Sequence, residues 1–436
     1  MKRTPRLLII IIVITILISG TLLAIRIAKG YRPSIANKVF EGTGLLSANS
    51  FPRGASVFIN DKLTTATDDT INLPPGEYRI KIAKDGYIPW EKTLILEPEL
   101  VTQTDTRLFP SVPDLKPLTF TGASNLTPSP DGQKIAFTVE NATTSDKNGL
   151  YIIDLLDRPF SLNSDPRQIT RNSQKFDYSL AKFTWAPDST QIIATFEEAN
   201  LILSAGNFND IKDQKDITAS LPLLLKEWNA TLDKKEHERL LELPDFMQQI
   251  ATASATAVYF SPNEDMLIYT ATASAQIPEN LIIPLPASST QEQNRNLEAG
   301  NIYIYDIEED RNFLISKGDS LTGKSEGFGT SASTLAIPTN VGTSSEPSAL
   351  TSLTNRYSPL NIQNIQWYPN SKHIIIVNQE SIVIAEYDNT NHHTIYAGPF
   401  ANNFAYPWPD GNRLIILASL NGGSNLPPNL YSINLK

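Results

Sequence analysis

The chain has 436 residues, of which 41% are hydrophobic, enough for two or three domains with apolar cores. The absence of cysteine excludes disulfides, thiolate metal sites and thiol nucleophiles, and four histidines leave little imidazole chemistry. The net charge of −10 is uneven, because residues 1–38 carry seven cations and no acid, which leaves −17 for the remainder. So acidic a body argues against nucleic acid as a partner.

The first feature along the chain is an uncharged apolar run from Leu7 to Ile25. At ~1.5 Å per residue, a helix of this length nearly spans the ~30 Å hydrocarbon core of a bilayer. A cleaved signal peptide has a shorter apolar region of about 7–15 residues, followed by small residues, whereas cations follow here. The run therefore predicts a transmembrane helix over residues 7–25. Cations before it favour a cytoplasmic tail of residues 1–6 and an extracytoplasmic body.

Residues 26–41 are predicted to be a linker, and residues 42–110 to form a compact β module. Short runs rich in β-branched and aromatic residues alternate there with turn formers. In residues 78–82 the alternation puts the apolar side chains on one face and the cations on the other. That pattern is typical of half-buried antiparallel strands.

One turn in this module carries a recognisable motif, formed by Pro74, Pro75, Gly76, Glu77 and Tyr78. The motif and its flanking strands resemble the PEGA domain, whose namesake motif occupies this position. The resemblance implies a small, non-catalytic Ig-like sandwich on bacterial and archaeal surface proteins. We expect residues 74–76 to form a turn that fixes the register of the strands on either side.

The region from residue 115 to residue 436 contains five copies of a proline-centred turn followed by an apolar strand. The turn residues are Pro130, Asp131 and Gly132; Pro187 and Asp188; Pro262 and Asn263; Pro369 and Asn370; and Pro409, Asp410 and Gly411. Two further strands follow the first copy, which is typical of a four-stranded propeller blade. The repeat resembles the PD40 (WD40-like) repeat of TolB-type β-propellers, although the middle three copies lack the glycine.

The predicted fold is therefore mainly β: an N-terminal transmembrane helix, a PEGA sandwich and a propeller of five or six four-stranded blades. Long spacings between copies predict a helical insertion over residues 219–253 and a mobile, Gly- and Ser-rich loop over residues 318–355. The last copy has only three strands before the chain ends. We predict that residues 115–120 supply its fourth strand and close the ring.

The candidate reactive side chains have structural interpretations. Asp131, Asp188 and Asp410 stand where an aspartate caps its own turn. Three tryptophans adjoin the turns and are expected to pack between blades: Trp185, Trp367 and Trp408.

The histidines offer no clear reactive group. His237 lies among charges on the helical insertion, His392 and His393 lie in a polar turn, and His373 is expected to face outward. The sequence has no Gly-x-Ser-x-Gly, Walker or His-Glu-x-x-His motif. We therefore predict no catalytic residue, no metal site and no cofactor.

These observations favour a non-catalytic protein of the cell surface or periplasm, anchored in the membrane. In this hypothesis the sandwich is a stalk, and the propeller binds another envelope protein or a glycan. The alternative is a degenerate or uncharacterised hydrolase, or a peptidase-associated propeller, with a site in the central channel. Two carboxylates ~5–9 Å apart in that channel would favour the alternative.

Overall fold

In a computed structural model, the described residues are 4–28, 32–34, 39–156, 165–286, 289–318, 364–401, 403–420 and 427–436. The chain divides into two compact units. The first comprises Met1–Phe109 and Pro284–Glu292, and the second comprises Pro110–Ile283 and Gln293–Lys436. Apart from residue 318, the predicted mobile loop over residues 318–355 lies outside the described residues.

Helix α1 (Thr4–Ala28) contains the apolar run and extends it at both ends. Its segment Ile9–Arg26 has a mean hydropathy of 2.6 and buries none of its surface, so it is long and apolar enough to cross a membrane. Within it, the hydroxyls of Thr15, Ser19 and Thr21 donate to carbonyls four residues earlier, at 2.7–2.9 Å. The helix thus satisfies these polar side chains internally, as a hydrocarbon environment requires.

A short two-stranded sheet and then a β-sandwich follow the helix in the first unit. Their strands are β1 (Arg32–Ser34), β2 (Val39–Glu41), β3 (Gly44–Phe51), β4 (Ser56–Ile59), β5 (Lys62–Ala66), β6 (Asp69–Leu73), β7 (Gly76–Ala83), β8 (Trp90–Leu96) and β9 (Val101–Arg107). Strands β1 and β2 pair with each other, while the two larger sheets have the orders β6-β3-β9 and β5-β4-β7-β8. Alternate side chains of β3, β4 and β7, among them Leu46, Val57 and Ile80, form the core between the sheets.

The connection at residues 74–75 differs from the sequence prediction. Strand β6 pairs with β3 in one sheet, whereas β7 pairs with β4 and β8 in the other. The prediction that this turn fixes the register of its flanking strands is therefore wrong, because those strands do not pair. The segment instead passes from one sheet to the other, and the Tyr78 hydroxyl donates to the Pro74 carbonyl at 2.9 Å.

The second unit contains the remaining strands and two helices. In chain order they are β10 (Leu115–Pro117), β11 (Ser124–Pro128), β12 (Lys134–Val139), β13 (Gly149–Asp154), β14 (Arg167–Arg171), β15 (Lys182–Trp185), β16 (Gln191–Thr195), β17 (Asn200–Ser204), β18 (Lys215–Asp216), α2 (Leu221–Leu240), α3 (Asp245–Ala253), β19 (Ala255–Phe260), β20 (Met266–Ala271), β21 (Ala275–Gln276), β22 (Asn296–Leu297), β23 (Ile302–Asp306), β24 (Arg311–Ser316), β25 (Ile365–Trp367), β26 (His373–Val377), β27 (Ser381–Glu386), β28 (His393–Ala397), β29 (Ala405–Pro407), β30 (Arg413–Ala418) and β31 (Asn429–Asn434).

Within the described residues these strands form five four-stranded antiparallel sheets, which are the blades of the propeller. Blade 1 is β11-β12-β13-β14, blade 2 is β15-β16-β17-β18, and blade 3 is β19-β20-β23-β24. Blade 4 is β25-β26-β27-β28, and blade 5 is β29-β30-β31-β10. The short pair β21-β22 lies in the loop between the second and third strands of blade 3.

The predicted closing strand is confirmed. Strand β10 pairs antiparallel with β31, so that Leu115 faces Ile433, and the Leu118 amide donates to the Leu430 carbonyl at 2.8 Å. The early strand therefore completes the last blade and leaves blade 1 with four strands of its own. Apolar side chains of blades 1 and 5 also share one core cluster, which includes Phe137 and Trp408.

Side chains join the first strands of neighbouring blades. Trp185 Nε1 donates to the Thr127 carbonyl of blade 1 at 3.0 Å, and Trp367 Nε1 donates to the Tyr259 carbonyl of blade 3 at 3.3 Å. The predicted packing of these tryptophans between blades is confirmed. Gln366 Nε2 similarly reaches the Ala405 carbonyl of blade 5 at 2.6 Å. The first strands therefore lie side by side around the interior of the ring.

The two helices lie within the range 219–253 and pack against two consecutive blades. Leu225 and Trp228 of α2 contact Ala186 and Ile193 of blade 2. Met247 and Ile250 of α3 form one core cluster with the blade 3 residues Leu267 and Tyr269. The insertion thus follows blade 2 along the chain and buries apolar surface on both blades.

Candidate functional site: the blade turns and inner strands

The proline-centred turns join the first two strands of each blade. Asp131 Oδ1 accepts from the Gln133 amide at 3.0 Å, Asp188 Oδ1 from the Thr190 amide at 3.0 Å, and Asp410 Oδ1 from the Asn412 amide at 2.8 Å. Each aspartate therefore caps its own turn, as the sequence predicts. In blade 4, Asn370 Oδ1 accepts from the Lys372 amide at 3.1 Å in the same way.

The pKa of the Asp131 carboxyl shows whether the turn favours its charged or its neutral form. Partial burial raises its pKa, but hydrogen bonds from the Ser129 hydroxyl and the Gln133 amide, together with Lys134, lower the pKa more, and the net shift is downward. A general acid needs the opposite shift. The geometry and electrostatics of this carboxylate therefore suit a structural cap that stays ionised.

The second residue after the proline, which we call the turn residue, has the same left-handed backbone in all five blades. Its φ is 69° at Gly132, 58° at Ser189, 64° at Glu264, 59° at Ser371 and 69° at Gly411. Glycine adopts this conformation without strain, whereas other residues pay an energetic cost. The middle three copies thus keep the turn although they lack the glycine.

Each turn residue contacts the element that precedes its blade. Two serines accept a hydrogen bond from the preceding blade: Ser189 Oγ from the Asp131 amide at 3.1 Å, and Ser371 Oγ from the Asn263 amide at 2.9 Å. Glu264 of blade 3 pairs instead with Arg239 of α2, with 2.5 Å between Oε1 and Nη2. The turn residue of blade 3 therefore contacts helix α2, whereas the serine turns contact the preceding blade.

The two glycine turns face tyrosines of the preceding blade. A Cβ at Gly411 would lie 3.1 Å from the Tyr368 hydroxyl, and one at Gly132 would lie 3.2 Å from the Tyr406 hydroxyl. The Tyr368 hydroxyl also donates to the Gly411 carbonyl. Burial, and secondarily the Asp131 carboxylate, raise the pKa of Tyr406, so its phenol remains neutral.

The inner strands bear on the hydrolase alternative. Strands β11, β15, β19, β25 and β29, all fully described, contain no aspartate, glutamate or histidine. Their ionisable side chains are Lys182, Tyr259 and Tyr406. These strands therefore supply no carboxylate pair to the channel, which is the observation that would favour the hydrolase alternative.

The position of His373 contradicts the sequence prediction. This histidine is 3% exposed, its Nδ1 lies 3.0–3.2 Å from the Asn370 side-chain amide, and its ring meets Tyr368 edge-on. The prediction that it faces outward is wrong, because β26 is buried on both faces.

Burial lowers the pKa of His393, with Glu386 opposing the shift, while His392 Nε2 lies 2.9 Å from Asn389 Oδ1.

Within the described ranges, no group of three or more His, Asp or Glu side chains could hold a metal ion.

Blade 3 contains buried charges that the sequence did not predict. Arg295 Nη2 and Asp310 Oδ1 lie 2.9 Å apart, with side chains only 11% and 6% exposed. Tyr305 donates to the same oxygen at 2.9 Å. Nearby, Asp306 is 4% exposed and burial raises its pKa to about 7. The only sequence signal is an acidic turn directly after an apolar strand, a pattern that ordinarily indicates a solvated turn.

Among the comparisons with known proteins, the family match falls within the first unit and the residues just after it. Residues 43–111 match the PEGA domain family. No curated protein matches the chain. The first unit thus contains an apolar N-terminal helix and a PEGA domain, and the described remainder of the chain is mainly β.

Several solved structures resemble the chain at low overall similarity. A TolB-type protein from Agrobacterium tumefaciens is 11% identical with a TM-score of 0.21, over 71% of this chain and 78% of that one. TolB from Acinetobacter baumannii is 10% identical with a TM-score of 0.22, over 88% and 64%. An oligogalacturonate lyase in complex with manganese is 9% identical with a TM-score of 0.25, over 83% and 86%. The propeller assignment therefore rests on the five sheets themselves.

Proposed function

We propose that the chain is an envelope protein anchored in the membrane by α1. Its sandwich and propeller lie outside the cytoplasm, and the propeller binds another envelope protein or a glycan without catalysis. The observation that carries this proposal is the exposed apolar surface of α1, followed along the chain by a domain of the PEGA family.

The surface of α1 supports the membrane anchor. Side chains such as Ile16 and Leu17 are each 64% exposed, although the helix consists almost entirely of aliphatic residues. At about 25 cal/mol per Å² of apolar surface, leaving such a helix in water is strongly unfavourable. A bilayer removes that cost, and the cations that flank the run can remain at the lipid headgroups.

The use of the blade carboxylates supports binding over catalysis. Asp131, Asp188 and Asp410 are hydrogen-bonded within their own turns, and the inner strands carry no acid. The chain beyond residue 38 has a charge of −17. Such a body attracts cationic surfaces, which favours a partner with a basic contact face.

The anchor is tested by alkaline washing of membranes and by protease treatment of spheroplasts, in which the outer face of the inner membrane is accessible. We expect the full chain to stay in the washed pellet and its body to be cleaved from outside. Changing Ile14→Lys should release the chain, because a cation at a helix centre costs about 2.5–3.5 kcal/mol on insertion. Ile14→Leu is the matched control and should remain in the pellet. A wild-type chain in the wash, or a body protected from the protease, would overturn this proposal.

The binding role is tested with two experiments, one for each class of partner. Sedimentation with isolated cell-wall glycan reports glycan binding, and photo-crosslinking in cells with probes on the propeller surface reports protein contacts. We expect saturable retention in one arm, weakened by salt if the acidic surface takes part. Retention in neither arm would contradict the binding role and leave the anchor untouched.

A further inference from the structure

The loop between β20 and β23 has a firmly held base. Arg295 pairs with Asp310 in the buried contact described above, and the Leu281 amide donates to the other Asp310 oxygen at 2.8 Å. Arg295 also donates to the Pro278 and Asp310 carbonyls. These bonds fix residues 278–281 and 295 to blade 3. The residues between them include residues 289–292, which we call the strap and which belong to the first unit.

The strap lies along an edge of the sandwich. Strand β8 is the last strand of the order β5-β4-β7-β8. Its Ile95 amide donates to Thr290 Oγ1 at 3.4 Å, and its Thr93 carbonyl accepts from Gln291 Nε2 at 2.8 Å. Residues 93 and 95 are two apart, so their main-chain groups point to the same side of the strand, away from β7.

Two bonds to the edge come from strap side chains, Thr290 and Gln291. The Thr290 hydroxyl and the Gln291 side-chain amide hydrogen-bond to main-chain groups of β8, and these side-chain bonds do not continue the β ladder. An open sheet edge is a template for pairing with another chain, and proteins commonly cover such edges or blunt them. The strap thus has the features of a cover that ends the sheet.

We propose that the strap guards the edge of β8, and that this edge, once uncovered, pairs with the β8 edge of a second copy of the chain. The sequence of β8 suits antiparallel self-pairing about Thr93. In that register Thr93 faces its own copy, Glu91 faces Ile95, and Lys92 faces Leu94. No like charges stand opposite each other, and a two-fold axis through Thr93 lets both copies use the same groups.

The test compares two double variants of the full chain in detergent. Thr290→Ala with Gln291→Ala removes both guarding side chains. Thr64→Ala with Gln103→Ala makes the same chemical change elsewhere in the sandwich, where Thr64 donates to the Lys62 carbonyl and Gln103 to Asp105. Hydrogen exchange measures the Ile95 amide at low protein concentration, and sedimentation velocity measures the mass at increasing concentration.

We expect the guard variant to exchange the Ile95 amide about fivefold faster, the equivalent of one net hydrogen bond of roughly 1 kcal/mol, and to dimerise as concentration rises. The control variant should match the wild type in both. Unchanged protection of Ile95 would overturn the guard, and lost protection without dimers would overturn the self-pairing. Thr290→Val, which keeps the side-chain shape, provides the same exchange test if the double variant does not fold.

Because the chain has no cysteine, one introduced thiol can locate the contact. Thr93→Cys keeps the main-chain carbonyl that the strap binds. In the guard variant, a short bismaleimide should link two copies through residue 93. Linking with equal yield in the control background, or dimers of the guard variant that do not link, would contradict pairing through β8.

Discussion

The serine turns and the glycine turns have the same left-handed backbone conformation but different neighbours. In blades 2 and 4, Ser189 and Ser371 accept a backbone hydrogen bond from the preceding blade. In blades 1 and 5, Gly132 and Gly411 face a tyrosine hydroxyl of the preceding blade, so close that a Cβ would crowd it. All four residues have φ between 58° and 69°.

We infer from this difference that contacts with the neighbouring blade determine which residue occupies the turn position. If φ alone decided, glycine would be the least strained choice in every blade. A serine gains a bond between blades in return for its strain, whereas a glycine leaves space for a buried tyrosine. Blade 3 fits the same rule, since its turn residue Glu264 meets helix α2 and pairs with Arg239.

The largest expected effect is a pH dependence of stability that arises from the buried Asp306 of blade 3. Burial raises the pKa of Asp306 to about 7, compared with ~3.9 for an unfolded aspartate. The folded state therefore holds the proton more tightly, and stability falls as pH rises from about 4 to about 7, by up to about 1.4 kcal/mol per pH unit. Asp306→Asn keeps an acceptor for the Glu308 and Glu309 amides, and its stability relative to the wild type should increase over that interval.

Blade 1 offers the matched control for this pH test. Asp154 occupies the equivalent strand position, opposite Lys134 where Asp306 is opposite Met266, and it is half-buried. Urea unfolding at pH 5 and pH 8 measures both variants, and Asp154→Asn should show no comparable gain. Equal pH dependence of Asp306→Asn and the wild type would refute the assignment.

The next effect is steric and tests the glycine turns. Gly411→Ala places a Cβ at positive φ and against the Tyr368 ring, and should destabilise the propeller by about 2 kcal/mol. Tryptophan fluorescence during urea unfolding reports it, because Trp185, Trp228, Trp367 and Trp408 belong to the propeller. Gly300→Ala is the control, since Gly300 also has a positive φ, of 89°, and a Cβ there would meet only Gly318 Cα at 3.9 Å. Equal costs at the two sites would remove the tyrosine from the explanation.

A smaller effect tests the serine turns. Ser189→Ala keeps a Cβ in the same backbone conformation but removes the acceptor of the Asp131 amide. We expect a loss of about 1 kcal/mol, the usual net value of such a bond. Ser220→Ala removes an exposed hydroxyl near α2 and should be near neutral. If Ser189→Ala leaves the free energy of unfolding unchanged, the bond between blades does not compensate for the backbone strain of the serine.

The smallest effect is expected at the helix contact. The Arg239 and Glu264 side chains are 44% and 40% exposed, and exposed ion pairs contribute roughly 0.2–1 kcal/mol. Arg239→Ala should therefore cost at most a few tenths of a kcal/mol in 0.5 M salt, where screening is strong, and more in dilute buffer. A large loss that salt does not change would indicate packing of the arginine stem in place of the ion pair.

Sequence reasoning succeeded where the signal is local and repeated. The proline-centred turns, the apolar helix and the closing strand all depend on short patterns or on a count of strands per blade. It failed for the sandwich strands β5, β6 and β9, which are polar, and β9 pairs in parallel with β3 some 55 residues earlier in the chain. Such pairings depend on long-range contacts that no local pattern encodes.

The contacts of the turn residues also could not be predicted from the sequence. The αL backbone of Ser189, Glu264 and Ser371 is unusual for non-glycine residues, and only the neighbouring element shows why each is acceptable. Likewise, the buried Arg295–Asp310 pair joins two polar stretches that read as ordinary surface. Both features depend on partners that lie in other blades or at the far end of a loop.

The reciprocal exchange of turn residues tests the central claim most directly. Ser371→Gly and Gly411→Ser are made separately, and the free energy of unfolding is measured for each. If the preceding blade selects the residue, both exchanges destabilise the propeller, Gly411→Ser by about 2 kcal/mol and Ser371→Gly by a smaller amount because relieved strain offsets part of the lost bond. A stabilising Ser371→Gly together with a harmless Gly411→Ser would show that backbone conformation alone governs these turns.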